Sequence, residues 1–123
     1  MGKKILFIDN DKNLLRSIKR NLKIKYKDVI ADFVASPDAV LKKINELDYN
    51  IIVTDYKMPG LDGGSLLKKI KNRHPDIISI ILTGYIDDAL KSDMNDPNIF
   101  FLEKPYLIDD LMQTIELALN AKL

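Results

Sequence analysis

Five short apolar runs, separated by segments with helical spacing, dominate the pattern of hydrophobic and polar positions along the chain. The runs are of strand length and rich in Ile, Val, Leu or Phe, and they cover residues 4–8, 29–34, 51–54, 77–82 and 99–102. Between them, apolar residues recur three or four positions apart, as in the series Leu14, Ile18 and Leu22. The pattern therefore predicts strands that alternate with helices.

This alternation predicts the fold class. Runs that are apolar on both faces fit strands covered by helices on both sides, and strict alternation favours a parallel sheet with right-handed crossovers. Ser36 and Pro37 have the form of an N-cap and a first helical residue, and Pro75 would stop the third helix. We predict an α/β fold with a doubly wound, five-stranded parallel sheet and helices on both faces.

Length and composition fit a single domain over residues 1–123, and whether it stands alone or is a fragment of a longer multidomain protein is left open. The 19 Lys and Arg residues nearly balance the 18 Asp and Glu residues, so the net charge is +1 and predicts no general attraction to nucleic acid or membrane. Without cysteine, and without an apolar run near the roughly 20 residues that span a bilayer, the chain is expected to be cytoplasmic. The basic stretch from Arg16 to Lys27 is interpreted as the solvated face of the first helix, and steering of a partner is the less favoured alternative.

Polar side chains occupy the ends of four of the five predicted strands. In open parallel sheets, ligands bind beyond the carboxyl ends of the strands. The residues at these ends are Asp9, Asn10 and Asp11 after the first strand, Asp55 after the third, Thr83 after the fourth and Lys104 after the fifth. Packing alone does not account for them, so they are the candidate site.

The chemistry of these side chains points to a cation and a phosphoryl group. Carboxylates gathered at one edge repel one another unless a cation or a proton relieves the repulsion. Mg²⁺ suits a few carboxylate oxygens, retained waters and a phosphate oxygen. An Asp carboxylate can also act as a nucleophile, while Lys104 and Thr83 would hold phosphoryl oxygens by charge and by hydroxyl.

Four motifs give the chain a resemblance to response-regulator receiver domains. They are ILFIDND, IIVTDYKMPGLDG, IILTGY and FLEKP, in the order and at the approximate spacing of that family, and they span nearly the whole chain. The resemblance implies a flavodoxin-like sheet with the strand order 2-1-3-4-5. It also implies a histidine kinase or phosphotransfer protein as partner. An output partner or output domain is implied as well, although the sequence does not identify it. A dimer that forms on phosphorylation is left open.

By this resemblance, Asp55 is the phosphoacceptor and Mg²⁺ is its cofactor. The metal ligands would be Asp9, Asn10, Asp55 and the backbone carbonyl of Lys57. Asn10 departs from the family pattern, which usually has a second acid there. An amide oxygen coordinates without the charge, so we expect weaker Mg²⁺ binding. Asp11 is expected to cap the first helix.

The resemblance also assigns a switch. Thr83 would move its hydroxyl toward the phosphoryl group, Lys104 would pair with it, and the Lys104–Pro105 peptide bond would be cis. Phe101 lies where the family usually keeps an aromatic residue that swings inward on activation. The segment 84–98 departs from the usual pattern, so the fourth helix is expected to be short or irregular.

Two other functions remain open from the sequence. ILFIDNDKNLL also resembles the nucleophile motif of haloacid-dehalogenase-type phosphatases, in which Asp9 would be the nucleophile and Asp11 the acid/base. The chain is short for such an enzyme, and KMPGLDG would then be unexplained. The second alternative, which Asn10 motivates, is a pseudo-receiver that binds a partner without phosphorylation.

Overall fold

The computed structural model describes residues 3–9, 11–46, 48–58 and 61–120, and within them five parallel strands form one sheet. The strands are β1 (Lys4–Ile8), β2 (Ile30–Val34), β3 (Ile51–Asp55), β6 (Ile78–Thr83) and β7 (Ile99–Glu103). They lie in the order β2-β1-β3-β6-β7, which is 2-1-3-4-5 when only this sheet is counted. The predicted flavodoxin-like fold is confirmed.

Helices follow the strands of this sheet. They are α1 (Lys12–Lys25), α2 (Pro37–Glu46), α3 (Gly63–Arg73), α4 (Asp88–Asp93) and α5 (Ile108–Asn120). An antiparallel ribbon of β4 (Lys57–Met58) and β5 (Leu61–Asp62) leads from β3 into α3, and the apolar pattern did not predict it. The six-residue length of α4 confirms the expectation of a short fourth helix.

Two apolar clusters form the core, one on each face of the sheet. Successive side chains of a strand point to opposite faces, and in β1 Leu6 and Ile8 join one cluster while Ile5 and Phe7 join the other. The first cluster is covered by α2, α3 and α4, and the second by α1 and α5. The edge strands β2 and β7 are only half-buried.

Polar side chains fix the helix ends where the sequence suggested. The Asp11 carboxylate accepts hydrogen bonds from the backbone N–H groups of Asn13 and Leu14, so it caps α1 as expected. Ser36 Oγ accepts from Ala39 N at the start of α2, and α3 ends before Pro75. None of the described helices is long and apolar enough to cross a membrane.

Candidate functional site at the carboxyl edge of the sheet

The strand register brings the predicted polar residues to one edge of the sheet. Asp55 and Thr83 are the last residues of the neighbouring strands β3 and β6. Asp9 and Lys104 directly follow β1 and β7, so Lys104 lies one residue beyond the strand rather than in it. The Lys104 backbone N–H donates to the Thr83 carbonyl at 2.7 Å, which holds these two strand ends side by side.

An ion pair between Asp55 and Lys104 lies at the centre of this edge. Lys104 Nζ is 2.7 Å from Asp55 Oδ1, and the carboxylate is buried while the lysine side chain is 42% exposed. Although the ammonium is close, Oδ1 accepts no hydrogen bond of good geometry. Lys104 therefore holds this buried carboxylate oxygen by charge rather than by a well-directed hydrogen bond.

Asp9 lies beside Asp55 and is also buried. Burial is the main cause that raises the pKa of Asp9 above its ordinary value, and a hydrogen bond from the Asp11 backbone N–H at 2.9 Å opposes it. The Asp55 charge and a hydrogen bond between the two carboxyl groups raise it further. The two carboxylates therefore form a strained pair that a cation or a proton would relieve.

The donor set at this edge fits Mg²⁺. Two buried carboxylates, Asp9 and Asp55, lie together at this edge, and Mg²⁺ commonly binds through one or two carboxylates while it keeps several waters. Asp11 is not part of the set, because its carboxylate caps α1. Asn10 lies outside the described residues, and of Lys57 only the backbone is described.

Of the predicted switch residues, Lys104 contacts Asp55, whereas Thr83 and Phe101 make other contacts. The Thr83 hydroxyl donates to the Tyr85 carbonyl at 3.2 Å and accepts from the Tyr85 N–H at 3.4 Å, so it is engaged by the loop that follows β6. Phe101 is half-buried in β7 and packs against the cluster beneath α3 and α4. The Lys104–Pro105 peptide bond is cis.

A cleft of about 630 Å³ opens between this edge and α4. Lys104 and Thr83 line one side of it, and Leu90 and Asp93 line the side toward the helix. The Ile86 N–H also donates to Glu103 Oε1 at 3.2 Å, which ties the loop before α4 to the end of β7. A change at the edge of the sheet is therefore in a position to alter α4.

Sequence reasoning missed two tyrosines beside the site. The Tyr56 hydroxyl donates to Asp93 Oδ2 at 3.3 Å, and Lys68 Nζ lies 2.9 Å from Asp93 Oδ1, so the residue after Asp55 is linked to α4. Burial, followed by the charges of Asp9 and Asp55, raises the pKa of Tyr106. The position of Tyr56 directly after the candidate phosphoacceptor was the available signal, whereas nothing in the sequence singled out Tyr106.

A doubly wound sheet with paired carboxylates and a lysine at its carboxyl edge defines a flavodoxin-like domain with an acidic binding site. The profile of the response regulator receiver domain matches residues 5–116, and the chain belongs to this family. It is therefore a receiver domain of two-component signalling, a phosphoacceptor module rather than a conventional enzyme. The family typically binds Mg²⁺ and implies a histidine kinase as partner. This match favours the receiver over the phosphatase alternative.

Curated relatives of the chain include transcriptional regulators. The hydrogenase transcriptional regulatory protein HoxA of Cupriavidus necator is 27% identical over 120 residues, which are 96% of this chain and 24% of the relative. The DNA-binding transcriptional regulator NtrC of Escherichia coli K12 is 37% identical over 82 residues, 66% of this chain and 18% of the relative. The chain thus spans a quarter or less of the length of these relatives.

Solved structures agree with the fold. A CheY-like response regulator receiver domain protein from Methanospirillum hungatei superposes with a TM-score of 0.82 at 26% identity, covering 94% of this chain and 92% of that one. The response regulator DrrB of Thermotoga maritima gives a TM-score of 0.84 at 22% identity over 99% of this chain and 54% of its own. At that identity, the second similarity shows the fold alone.

Proposed function

We propose that Asp55 accepts a phosphoryl group from a histidine kinase or phosphotransfer protein and that the modified domain controls an output partner. The observation that carries this proposal is the buried Asp55 carboxylate, whose Oδ1 is 2.7 Å from Lys104 Nζ and accepts no directed hydrogen bond. The carboxylate is held at the edge where ligands of open α/β sheets bind, and the family supplies the class of reaction.

In the transfer step, a carboxylate oxygen of Asp55 forms a bond to phosphorus while the bond from phosphorus to the imidazole nitrogen of the donor histidine breaks. The leaving nitrogen keeps the electron pair of the broken bond. The product at Asp55 is an acyl phosphate. Lys104 balances the charge of the transferred group from its place beside Asp55, and the Thr83 hydroxyl contributes a hydrogen bond once it leaves Tyr85.

Asp9, Asn10, Asp55 and the Lys57 carbonyl are proposed as the ligands of Mg²⁺. Bound there, the cation would neutralise charge on the phosphoryl oxygens. The burial of Asp9 and its contact with Asp55 support this assignment, because the pair is unfavourable without a counterion. Asn10 contributes an oxygen without a charge, so the proposed site has one negative charge fewer than the family pattern.

The switch is proposed to run from Thr83 to α4 and β7. Movement of the Thr83 hydroxyl away from Tyr85 breaks its two hydrogen bonds with Tyr85 in the loop after β6. The tie between Ile86 and Glu103 and the half-buried Phe101 lie along the same side of the sheet. The added charge would thereby shift the region of α4 and β7 between two conformations. A partner or a second copy would bind one of them in preference to the other.

The core of this proposal is tested by mass spectrometry after incubation with acetyl phosphate and MgCl₂. We expect one phosphoryl adduct that is lost under hydroxylamine and maps to the peptide containing Asp55. The Asp55→Asn variant should remain unmodified, while Asp48→Asn, a change at an exposed carboxylate away from the site, should be modified like the parent chain. An adduct on Asp9 would overturn the assignment.

A pseudo-receiver remains the second candidate, favoured by Asn10. If neither acetyl phosphate nor beryllofluoride with Mg²⁺ modifies or binds the folded chain, the phosphoacceptor role is wrong and this candidate takes its place. Binding of beryllofluoride that requires Asp55 would exclude it.

A further inference from the structure

Helix α1 concentrates positive charge in a chain that is nearly neutral. The chain has a net charge of +1, yet α1 contains no acidic residue and six basic ones, namely Lys12, Arg16, Lys19, Arg20, Lys23 and Lys25. Their side chains are exposed, and none of them takes part in an ion pair within the described part of the chain. This surface therefore carries an unbalanced positive field.

A groove with an apolar floor lies beneath the second half of α1. It is a cavity of about 380 Å³ between the helix and β2, and its apolar lining comprises Leu22, Tyr26, Val29, Ala31 and Phe33. Phe33 is held by stacking on Phe7 with ring centroids 5.0 Å apart. Lys19, Lys23 and Lys27 form the rim, and no acidic residue lines the groove.

The groove runs along an edge of the sheet. Among the described strands, β2 pairs with β1 and with no other strand, so its outer side can accept an added strand. Ala31 and Phe33 are on the face of β2 that lines the groove. An extended chain paired to this edge would place alternate side chains toward the groove.

The opposite edge of the sheet lacks this charge. Strand β7 is flanked by α5, which has Asp109 and Asp110 in its first turn and no basic residue, whereas Glu116 of α5 accepts a hydrogen bond from the Tyr26 hydroxyl at 3.2 Å. An acidic segment would therefore be attracted to the β2 edge and repelled from the β7 edge. The positive charge near β2 therefore favours an acidic occupant, and it favours docking of that occupant at the β2 edge rather than at the β7 edge.

We propose that the α1–β2 groove docks an extended acidic segment of a partner protein, with an apolar side chain in the cavity and carboxylates paired to Lys19, Lys23 and Lys27. The apolar floor and the free strand edge favour a peptide over nucleic acid, because a phosphodiester backbone uses neither. The groove follows the second half of α1 from Lys19 onward, roughly 12–22 Å along the helix axis from the Asp11 cap. Docking there leaves the Asp55 edge open.

The test uses a fluorescent peptide in which one Phe is flanked by Asp and Glu residues. We expect saturable binding by anisotropy, weakened by added salt, and amide chemical-shift changes in residues 19–33. The double variant Lys19→Glu, Lys23→Glu should weaken binding by about tenfold or more. A matched pair of exposed lysines on α2 and α3, Lys42→Glu with Lys69→Glu, changes the net charge equally and should alter binding less than about twofold.

Replacing Phe in the peptide by Ser tests the cavity, and it should also weaken binding. Equal losses in the two double variants would overturn the proposal, since net charge would then explain the binding. So would shifts confined to another face, or binding of a DNA duplex or of anionic vesicles with no binding of the peptide. Phosphorylation of Asp55 is not needed for any of these readouts, so the outcome is independent of the proposed phosphoacceptor role.

Discussion

At the scale of single residues, the candidate site holds like charges close together in a buried position, which lowers stability. Asp9 and Asp55 are both buried and close to each other, and Lys104 supplies one positive charge to the pair. Like charges in a buried site oppose ionisation, and the raised pKa of Asp9 expresses this opposition. The residues that make the edge suitable for a cation and a phosphoryl group therefore weaken the metal-free fold.

Asp9→Asn should stabilise the metal-free protein at neutral pH. Because the folded state raises the pKa of Asp9 above its ordinary value of 3.8, its ionised form costs stability above that range. The cost shrinks as the pH falls through the raised pKa and disappears below 3.8, where the carboxyl is protonated in both states. In EDTA at pH 7 we expect a gain of about 1 kcal/mol, or roughly 4 °C in Tm.

Thermal unfolding monitored by circular dichroism from pH 7 downward checks this prediction. Asp48→Asn is the control, because this exposed carboxylate is outside the site, and it should leave Tm nearly unchanged. A gain for Asp9→Asn that persists undiminished toward pH 4, or a loss of stability at pH 7, would contradict it.

At the scale of elements, α4 is the shortest helix of the described chain. It has six residues, and isolated helices shorter than roughly 12 residues are marginal in water. Its stability depends on the Asp87 cap, which accepts from Leu90 N at 2.8 Å, and on the burial of Leu90 and the adjoining Met94. This marginal stability suits a helix beside the cleft that leads to the site.

Asp87→Ala should loosen α4 without unfolding the domain. Loss of an N-cap costs about 1 kcal/mol, and in a short helix this appears as local opening. Hydrogen exchange followed by mass spectrometry should show several-fold faster exchange in peptides covering residues 88–94. Asp88→Ala removes a neighbouring carboxylate that does not cap the helix, and comparable acceleration in that variant would refute the role of the cap.

At the scale of the whole molecule, stability is concentrated in the centre of the sheet. Strands β3 and β6 are buried along their full length, whereas β2 at the edge is only partly buried. The two apolar clusters meet these central strands from both faces. The edge strands are thus free for pairing and recognition, while the buried central strands stabilise the fold.

Ile52→Ala and Ile30→Ala should show this contrast in urea unfolding. Ile52 is 0% exposed in β3 and Ile30 is 50% exposed in β2. Truncation of the first should cost about 3 kcal/mol and truncation of the second less than about 1 kcal/mol. Similar costs at the two positions would show that the edge strand is as important to the fold as the centre.

Much of this architecture could be predicted because it depends on local patterns. The apolar runs located all five strands of the main sheet, and Asp11 and Ser36 marked helix starts correctly. Boundaries differed by a residue or so, as at Val29, whose N–H bonds to Tyr26 in the turn before β2. The ribbon between β3 and α3 was missed because two-residue strands carry no periodicity.

The sequence by itself determined the fold class, the strand ends and the residue types at the candidate site. These features depend on the spacing of apolar residues and on the polar residues that end each apolar run, and both are local properties of the chain. Only the tertiary structure decided which polar groups meet. It placed Lys104 against Asp55 and buried Asp9 beside them. Such contacts depend on strand order and register across distant segments, and no local pattern specifies them.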